Sequence, residues 1–251
     1  MLQYLTSDLL AASLPALVER WRPGARRWAL VVDADRTLAP DDTGRRVGEA
    51  FAINEPIRAV FEALGYVEEA FRRVSGIWSE VPPDRYLAEV ERVAVETRIY
   101  GGWTDLFSVC LARIPIFVVS VGIPLVWRRI LASHGFPEVP VIGGCHVAFD
   151  RHFICPRVKE ALVLQLRQLG FQVAAAGDSL IDEPMLRAAD LPLFVPDPKG
   201  SAALRQSLAD DPRVYHLKLD ERTFSGLRVM APHALSRLLT DAGEGYADTP
   251  L

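Results

Sequence analysis

Short apolar runs uninterrupted by any polar side chain recur along this chain, and longer segments with helical periodicity lie between them. Such runs occupy residues 28–32, 116–119, 173–176 and 193–195. A strand with one wet face alternates apolar and polar residues. A strand apolar throughout is covered on both faces, which is the condition of a parallel sheet held between helical layers. The segments between the runs carry helix signals: Pro124 opens one that stops at Gly135, and Pro156 opens another that stops at Gly170. This alternation predicts an α/β fold with a parallel sheet.

One block breaks the alternation. Residues 47–100 contain no convincing strand and read as three helices. Their apolar stripes are Ile57, Val60, Phe61 and Leu64; then Val67, Ala70, Phe71, Val74 and Ile77; then Leu87, Val90, Val93 and Ala94 after Pro82-Pro83-Asp84. Tyr100-Gly101-Gly102 is expected to separate this block from the next helix. The expectation is a small all-helical cap over residues 41–100, inserted into a core made of residues 1–40 and 101–251. Elsewhere we expect a helix over residues 8–21 closed by Pro23-Gly24, short strands over 139–142 and 147–149 around Gly143-Gly144, another over 214–219, and a loose end from Asp241.

Composition excludes several classes. The chain has 251 residues and a net charge of −4, which argues against a basic nucleic-acid-binding face. Its three cysteines, Cys110, Cys145 and Cys155, are too few for a disulfide framework and fit a reducing, cytoplasmic setting. Residues 1–17 lack a basic leader and a small-residue cleavage site. The longest apolar run, residues 114–127, is too short to span a bilayer and is interrupted by Pro124.

Each apolar run ends in chemically useful residues. The first ends at Asp33, with Asp35 two positions on. The second ends at Ser120, with Gly122 just beyond. The third ends at Gly177-Asp178-Ser179, with Asp182 four positions after Asp178, and Lys159 lies near the start of the preceding helix. In a parallel sheet all carboxyl ends lie on one edge, so these residues converge there. Three or four carboxylates suit a hard cation such as Mg²⁺, and a lysine with a hydroxyl suits phosphate oxygens. That charge set brings a phosphate dianion against a carboxylate, which can attack phosphorus while a second carboxylate moves the proton. Taken alone, Asp33-Ala34-Asp35 also fits a solvated turn or the metal-binding DxD of a sugar transferase.

Together, Asp33-Ala34-Asp35-Arg36-Thr37, Val119-Ser120, Lys159 and Gly177-Asp178-Ser179-Leu180-Ile181-Asp182 resemble the four ordered motifs of the haloacid dehalogenase superfamily. The run from Ile114 to Gly122 and the helical insertion are similar to the phosphoserine-phosphatase-like and pyrimidine-5′-nucleotidase-like branches. The resemblance covers roughly residues 28–200. It implies a Rossmann-like three-layer core and a Mg²⁺-dependent phosphatase acting on a small phosphorylated metabolite, with a phosphotransferase or mutase, or a non-catalytic phosphate binder, as alternatives. It implies Asp33 as nucleophile, Asp35 as general acid/base, and Thr37 as the residue that orients the motif. Ser120, Gly122 and Lys159 would bind the phosphoryl group. Asp33, Asp35 through its carbonyl, Asp178 and Asp182 would hold the metal. Two departures stand out: Arg36 occupies a position where a small or apolar residue is commoner, and the last motif lacks an Asn before Asp182.

Other polar residues read more plainly. Cys145, His146, His152 and Cys155 fit no common zinc spacing and read as core thiols and loop histidines. Arg72, Arg73, Arg92 and Arg98 read first as a solvated helix face and second as contacts for an anionic substrate. Asp41, Asp42 and Thr43 read equally as helix caps or substrate contacts, and Asp182 as both metal ligand and N-cap.

Overall fold

The computed structural model describes residues 2–21, 27–196, 201–219 and 228–241. A two-residue strand β1 (Gln3–Tyr4) precedes helix α1 (Ser7–Leu17) and a single 3-10 turn, Glu19–Trp21. Strand β2 (Arg27–Asp33) leads into four consecutive helices, α2 (Thr43–Glu49), α3 (Asn54–Leu64), α4 (Glu68–Ser79) and α5 (Pro83–Glu96). Helix α6 (Gly101–Cys110), β3 (Ile116–Val119), α7 (Pro124–Ser133), β4 (Val141–Ile142), β5 (His152–Phe153) and α8 (Pro156–Gln168) come next. The chain ends with β6 (Phe171–Gly177), α9 (Glu183–Ala188), β7 (Leu191–Phe194), α10 (Ser201–Ser207), β8 (Tyr215–Leu217), β9 (Arg228–Met230) and α11 (Pro232–Thr240).

Seven of these strands form one parallel sheet in the order β4-β3-β2-β6-β7-β8-β9. Alternate residues of its central strands face opposite ways, and both sides are buried. Leu30, Val32, Ile116, Val118, Ala174 and Ala176 pack toward α5, α6, α7 and α11. Ala29, Val31, Phe117, Val119, Val173 and Ala175 pack toward α1, α8, α9 and α10. The apolar-throughout runs thus make the two-sided core expected of them. Register aligns the strand ends: Asp33 pairs with Val119, and Val32 with Ala176, so Ser120 and Asp178 emerge beside Asp33.

The insertion between β2 and α6 is helical, with one helix more than expected. Asp42 caps α2 by accepting from the Arg45 N–H (2.9 Å), a short-range signal too weak to separate from a turn. Helix α5 buries Tyr86, Val90, Val93 and Ala94 in the same apolar cluster as α6 and α7. Helix α3 buries none of its residues.

Several expectations are corrected. Residues 147–149 form a turn rather than a strand, because Phe149 donates to the His146 carbonyl (3.0 Å) and Asp150 Oδ2 accepts from the N–H groups of Cys145 and His146. The strand lies at β5, where it pairs with β1. The break between the insertion and α6 falls at residues 97–100, and Gly101 and Gly102 begin α6, where a Cβ at residue 102 would come 2.7 Å from Pro232 of α11. The first helix ends at Leu17, before the 3-10 turn. Pro23-Gly24 and residues 242–251 lie outside the described residues.

Trp103 of α6 is fully buried, and its Nε1 donates to the Thr37 carbonyl (2.8 Å), so it braces the turn after β2. Trp103→Ala is expected to lower stability by about 3–5 kcal/mol. Val95→Ala, at a side chain 70% exposed, should stay within about 0.5 kcal/mol. Urea denaturation measures both.

Candidate active site

The end of β2, the start of α8 and the loop after β6 bring four charged side chains together. Lys159, on the first turn of α8, is buried, and its ammonium donates to Asp33 Oδ1 and to Asp182 Oδ1 (2.6 Å). Thr37 Oγ1 lies within hydrogen-bond reach of both Asp33 Oδ2 (3.1 Å) and Asp178 Oδ1 (3.2 Å). Asp182 Oδ2 accepts from the N–H groups of Asp178 and Ser179 and from the Ser179 hydroxyl (3.2 Å each). It therefore closes its own loop backward. It occupies the N-cap position of α9 but makes no capping bond, which corrects that part of the expectation. At Gly177 a Cβ would lie 2.5 Å from Asp182 Cβ, so this loop can close only over glycine.

Ligand oxygens of Asp33, Asp178 and Asp182 all lie within 4.8 Å of one another, the only such acidic or His/Cys group among the described residues. Asp178 Oδ2 is buried without a hydrogen bond, although Arg36 Nε is 3.6 Å away. Three buried carboxylates, only two of them held by the one ammonium and one oxygen of the third left unbonded, are a donor set that suits a hard divalent cation. The residues therefore fit Mg²⁺. The Cys145–Cys155 region holds no such cluster. His146 is buried between the Val81 carbonyl (2.9 Å from Nε2) and the Ala148 N–H (3.1 Å from Nδ1).

Asp35 points elsewhere. Its Oδ1 accepts from both the N–H and the hydroxyl of buried Thr43 (2.6 Å each), at the first residue of α2. A Cβ at residue 122 would lie 2.8 Å from Asp35 Oδ2, so Gly122 leaves room for this carboxylate. The Ser120 hydroxyl accepts from the Gly122 N–H (3.0 Å) and lies on the same rim. Thr43 as the partner of Asp35 carries no sequence signature. Arg36 adopts a left-handed φ of 62°, a conformation unfavourable for a residue with a Cβ. From there its guanidinium reaches toward Asp178 (3.6 Å) and Asp42 (3.9 Å).

Burial raises the carboxyl pKa of Asp33 to about 6, with the Asp182 charge adding and Lys159 opposing. Burial and then Asp42 raise Asp35 to about 7, against the Thr43 hydrogen bonds. Burial with Asp33 and Asp182 lifts Asp178 to about 9, against Arg36 and Lys159. Burial alone would lower the Lys159 ammonium, but Asp182 and Asp33 push it upward.

A cleft of about 850 Å³ opens over Asp33, Asp35, Ser120, Gly122, Lys159 and Asp178 and extends along α3 and α4. Of the four arginines singled out in the sequence, none lines it. Arg72, Arg73 and Arg92 pair with glutamates on their own helices, and Arg98 donates to the Val95 carbonyl (2.6 Å). The arginines that do line it are Arg36, Arg45 and Arg58.

Residues 30–187 match the model of the haloacid dehalogenase-like hydrolase family. No curated protein matches the chain. Cytosolic 5′-nucleotidase IIIB bound to cytidine shares the fold with a TM-score of 0.59 at 14% identity, over 92% of this chain and 91% of that one. Phosphoserine phosphatase from T. onnurineus gives 0.53 at 15% identity, over 87% and 96%. A HAD family hydrolase from Salmonella enterica subsp. enterica serovar Typhi gives 0.55 at 17% identity, over 81% and 75%.

A carboxyl whose pKa is higher folded than unfolded makes the native state bind the extra proton. Its favourable contribution is complete below about pH 4 and is lost as pH rises through the folded value, here about 6 for Asp33 and about 9 for Asp178. Without divalent metal, Asp178→Asn should therefore be more stable than the parent at pH 8, by on the order of 1 kcal/mol. The gap should close toward pH 5. Denaturation in chelator at the two pH values tests this, and Mg²⁺ should stabilise only the parent.

Proposed function

Because the chain belongs to the haloacid dehalogenase-like hydrolase family, we propose that it is a Mg²⁺-dependent phosphatase that hydrolyses a small phosphomonoester through an aspartyl-phosphate on Asp33. The observation that carries this reading is the buried Lys159 ammonium shared by Asp33 and Asp182 at the floor of a cleft. A carboxylate so held is oriented toward the cleft, and the ammonium offsets the repulsion an incoming phosphate dianion would otherwise feel.

Asp33, Asp178 and Asp182, with the Asp35 carbonyl, would hold Mg²⁺, which when bound supplies positive charge against the phosphoryl oxygens. An Asp33 oxygen attacks phosphorus, and the bond from phosphorus to the substrate alcohol breaks. Asp35, its pKa near 7, gives its proton to the leaving oxygen. The Asp35 carboxylate then takes a proton from water as that water attacks phosphorus, which frees Asp33 and inorganic phosphate. The Ser120 hydroxyl accepts from the Gly122 N–H, which orients it to donate its own proton to a phosphoryl oxygen beside Gly122. Thr37 keeps Asp33 and Asp178 in register. Residues 41–100 act as the cap that limits water during the first step. Three free, buried cysteines fit a cytoplasmic setting for this chemistry.

Asp33→Asn should lower phosphate release at least about a thousandfold while leaving the fold intact. Asp35→Asn should lower kcat by about 10²–10⁴-fold. Chelator should abolish turnover and Mg²⁺ restore it, read as phosphate released from a panel of phosphomonoesters. Wild-type rates in Asp33→Asn would exclude the nucleophile assignment. Phosphate passed mainly to added alcohols, with little released, would favour a phosphotransferase.

A further inference from the structure

The cleft is far larger than a phosphoryl group, and its far wall differs chemically from its floor. Helix α3 is amphipathic yet fully buries none of its residues, and Ile57 and Phe61, partly buried against the core, also line the cleft. Phe61 sits between two further rings, with centroids 5.1 Å from Tyr66 and 5.1 Å from Phe71. Phe71, Val74 and Trp78 continue this surface along one face of α4 and are nearly covered, whereas Tyr66 is 52% exposed. The part of this wall that stays open at the cleft, Ile57, Phe61 and Tyr66, gains by covering a flat apolar surface.

The charges on the same wall point the same way. Arg45 pairs with Glu49 (3.3 Å), and Arg58 pairs with Glu55 (2.5 Å) and Glu62 (3.5 Å). These five residues all line the cleft, three carboxylates against two guanidiniums, so this end carries a net charge of −1. A second phosphate or a carboxylate on the substrate would meet like charge there, with no surplus cation among the described lining residues of the insertion.

We propose that the substrate is a monophosphate ester of an alcohol that carries no anionic group and presents a flat ring to Phe61 and Tyr66. The proposal rests on the phosphatase reading and selects within it. It favours ring-bearing esters, whether aryl-alkyl phosphates or nucleoside monophosphates, over phosphoamino acids and bisphosphates.

The test is kcat/KM for phosphate release from phenethyl phosphate, a nucleoside 5′-monophosphate, O-phosphoserine, glucose 1,6-bisphosphate and ethyl phosphate. At least one ring-bearing ester should exceed O-phosphoserine, the bisphosphate and ethyl phosphate tenfold or more, and the faster of the two identifies the source of the ring. Tyr66→Ala, at an exposed position, should lower kcat/KM for the preferred ring-bearing ester at least fivefold more than for ethyl phosphate. Glu62→Lys should raise the bisphosphate rate relative to the ring-bearing one. Preference for O-phosphoserine or the bisphosphate, or an equal effect of Tyr66→Ala on all esters, would overturn the proposal while leaving the phosphatase reading standing. Release from none of them would overturn both.

Discussion

One buried ammonium organises this molecule's chemistry. Lys159 holds Asp33 from β2 and Asp182 from the loop after β6, with Asp178 beside them. Taking these charges out of water is expensive. It is tolerated because each carboxylate oxygen but one finds a hydrogen-bond partner, and removing the lysine would strand two of the carboxylates, Asp33 and Asp182. Burial first, and the neighbouring carboxylates second, raise the carboxyl pKa values of Asp33 and Asp178. The cluster's excess of acidic groups and the unbonded Asp178 oxygen form a donor set that fits a hard cation.

The helical insertion divides into a fixed part and an open part. Helix α5 is sealed into the core beside α6 and α7, and Tyr86 stacks on Phe149 of the core with centroids 5.4 Å apart. Helix α3 packs on the core only through partly buried side chains, and two of them, Ile57 and Phe61, also line the cleft. Ahead of both, Thr43 ties the first helix of the insertion to Asp35, so the Asp35 carboxyl is positioned by the insertion as well as by the end of β2.

The sheet and the motif residues are legible in the chain because both rest on local signals. Apolar-throughout runs demand cover on both faces, and Asp33 and Ser120 sit one step past such a run and Asp178 two. Parallel register then makes them neighbours. Elements with weak local signals are harder to read: the two-residue strands β1 and β5 exist only because they pair with each other, and α2 is a single short helix launched by Asp42. The turn at residues 147–149 imitates a strand in sequence because its apolar Phe149 packs on Tyr86 of the insertion rather than in a sheet.

Sequence alone therefore determined the α/β architecture, the family resemblance and the residues gathered at the rim, since hydrophobic periodicity and strand polarity suffice for those. Only the tertiary structure decided that Asp35 turns to Thr43, that Arg36 reaches Asp178 from a left-handed backbone, and which arginines and rings line the cleft. Those outcomes depend on side chains far apart in the chain meeting across helices. No spacing rule encodes such meetings, because they arise from how the insertion packs against the core.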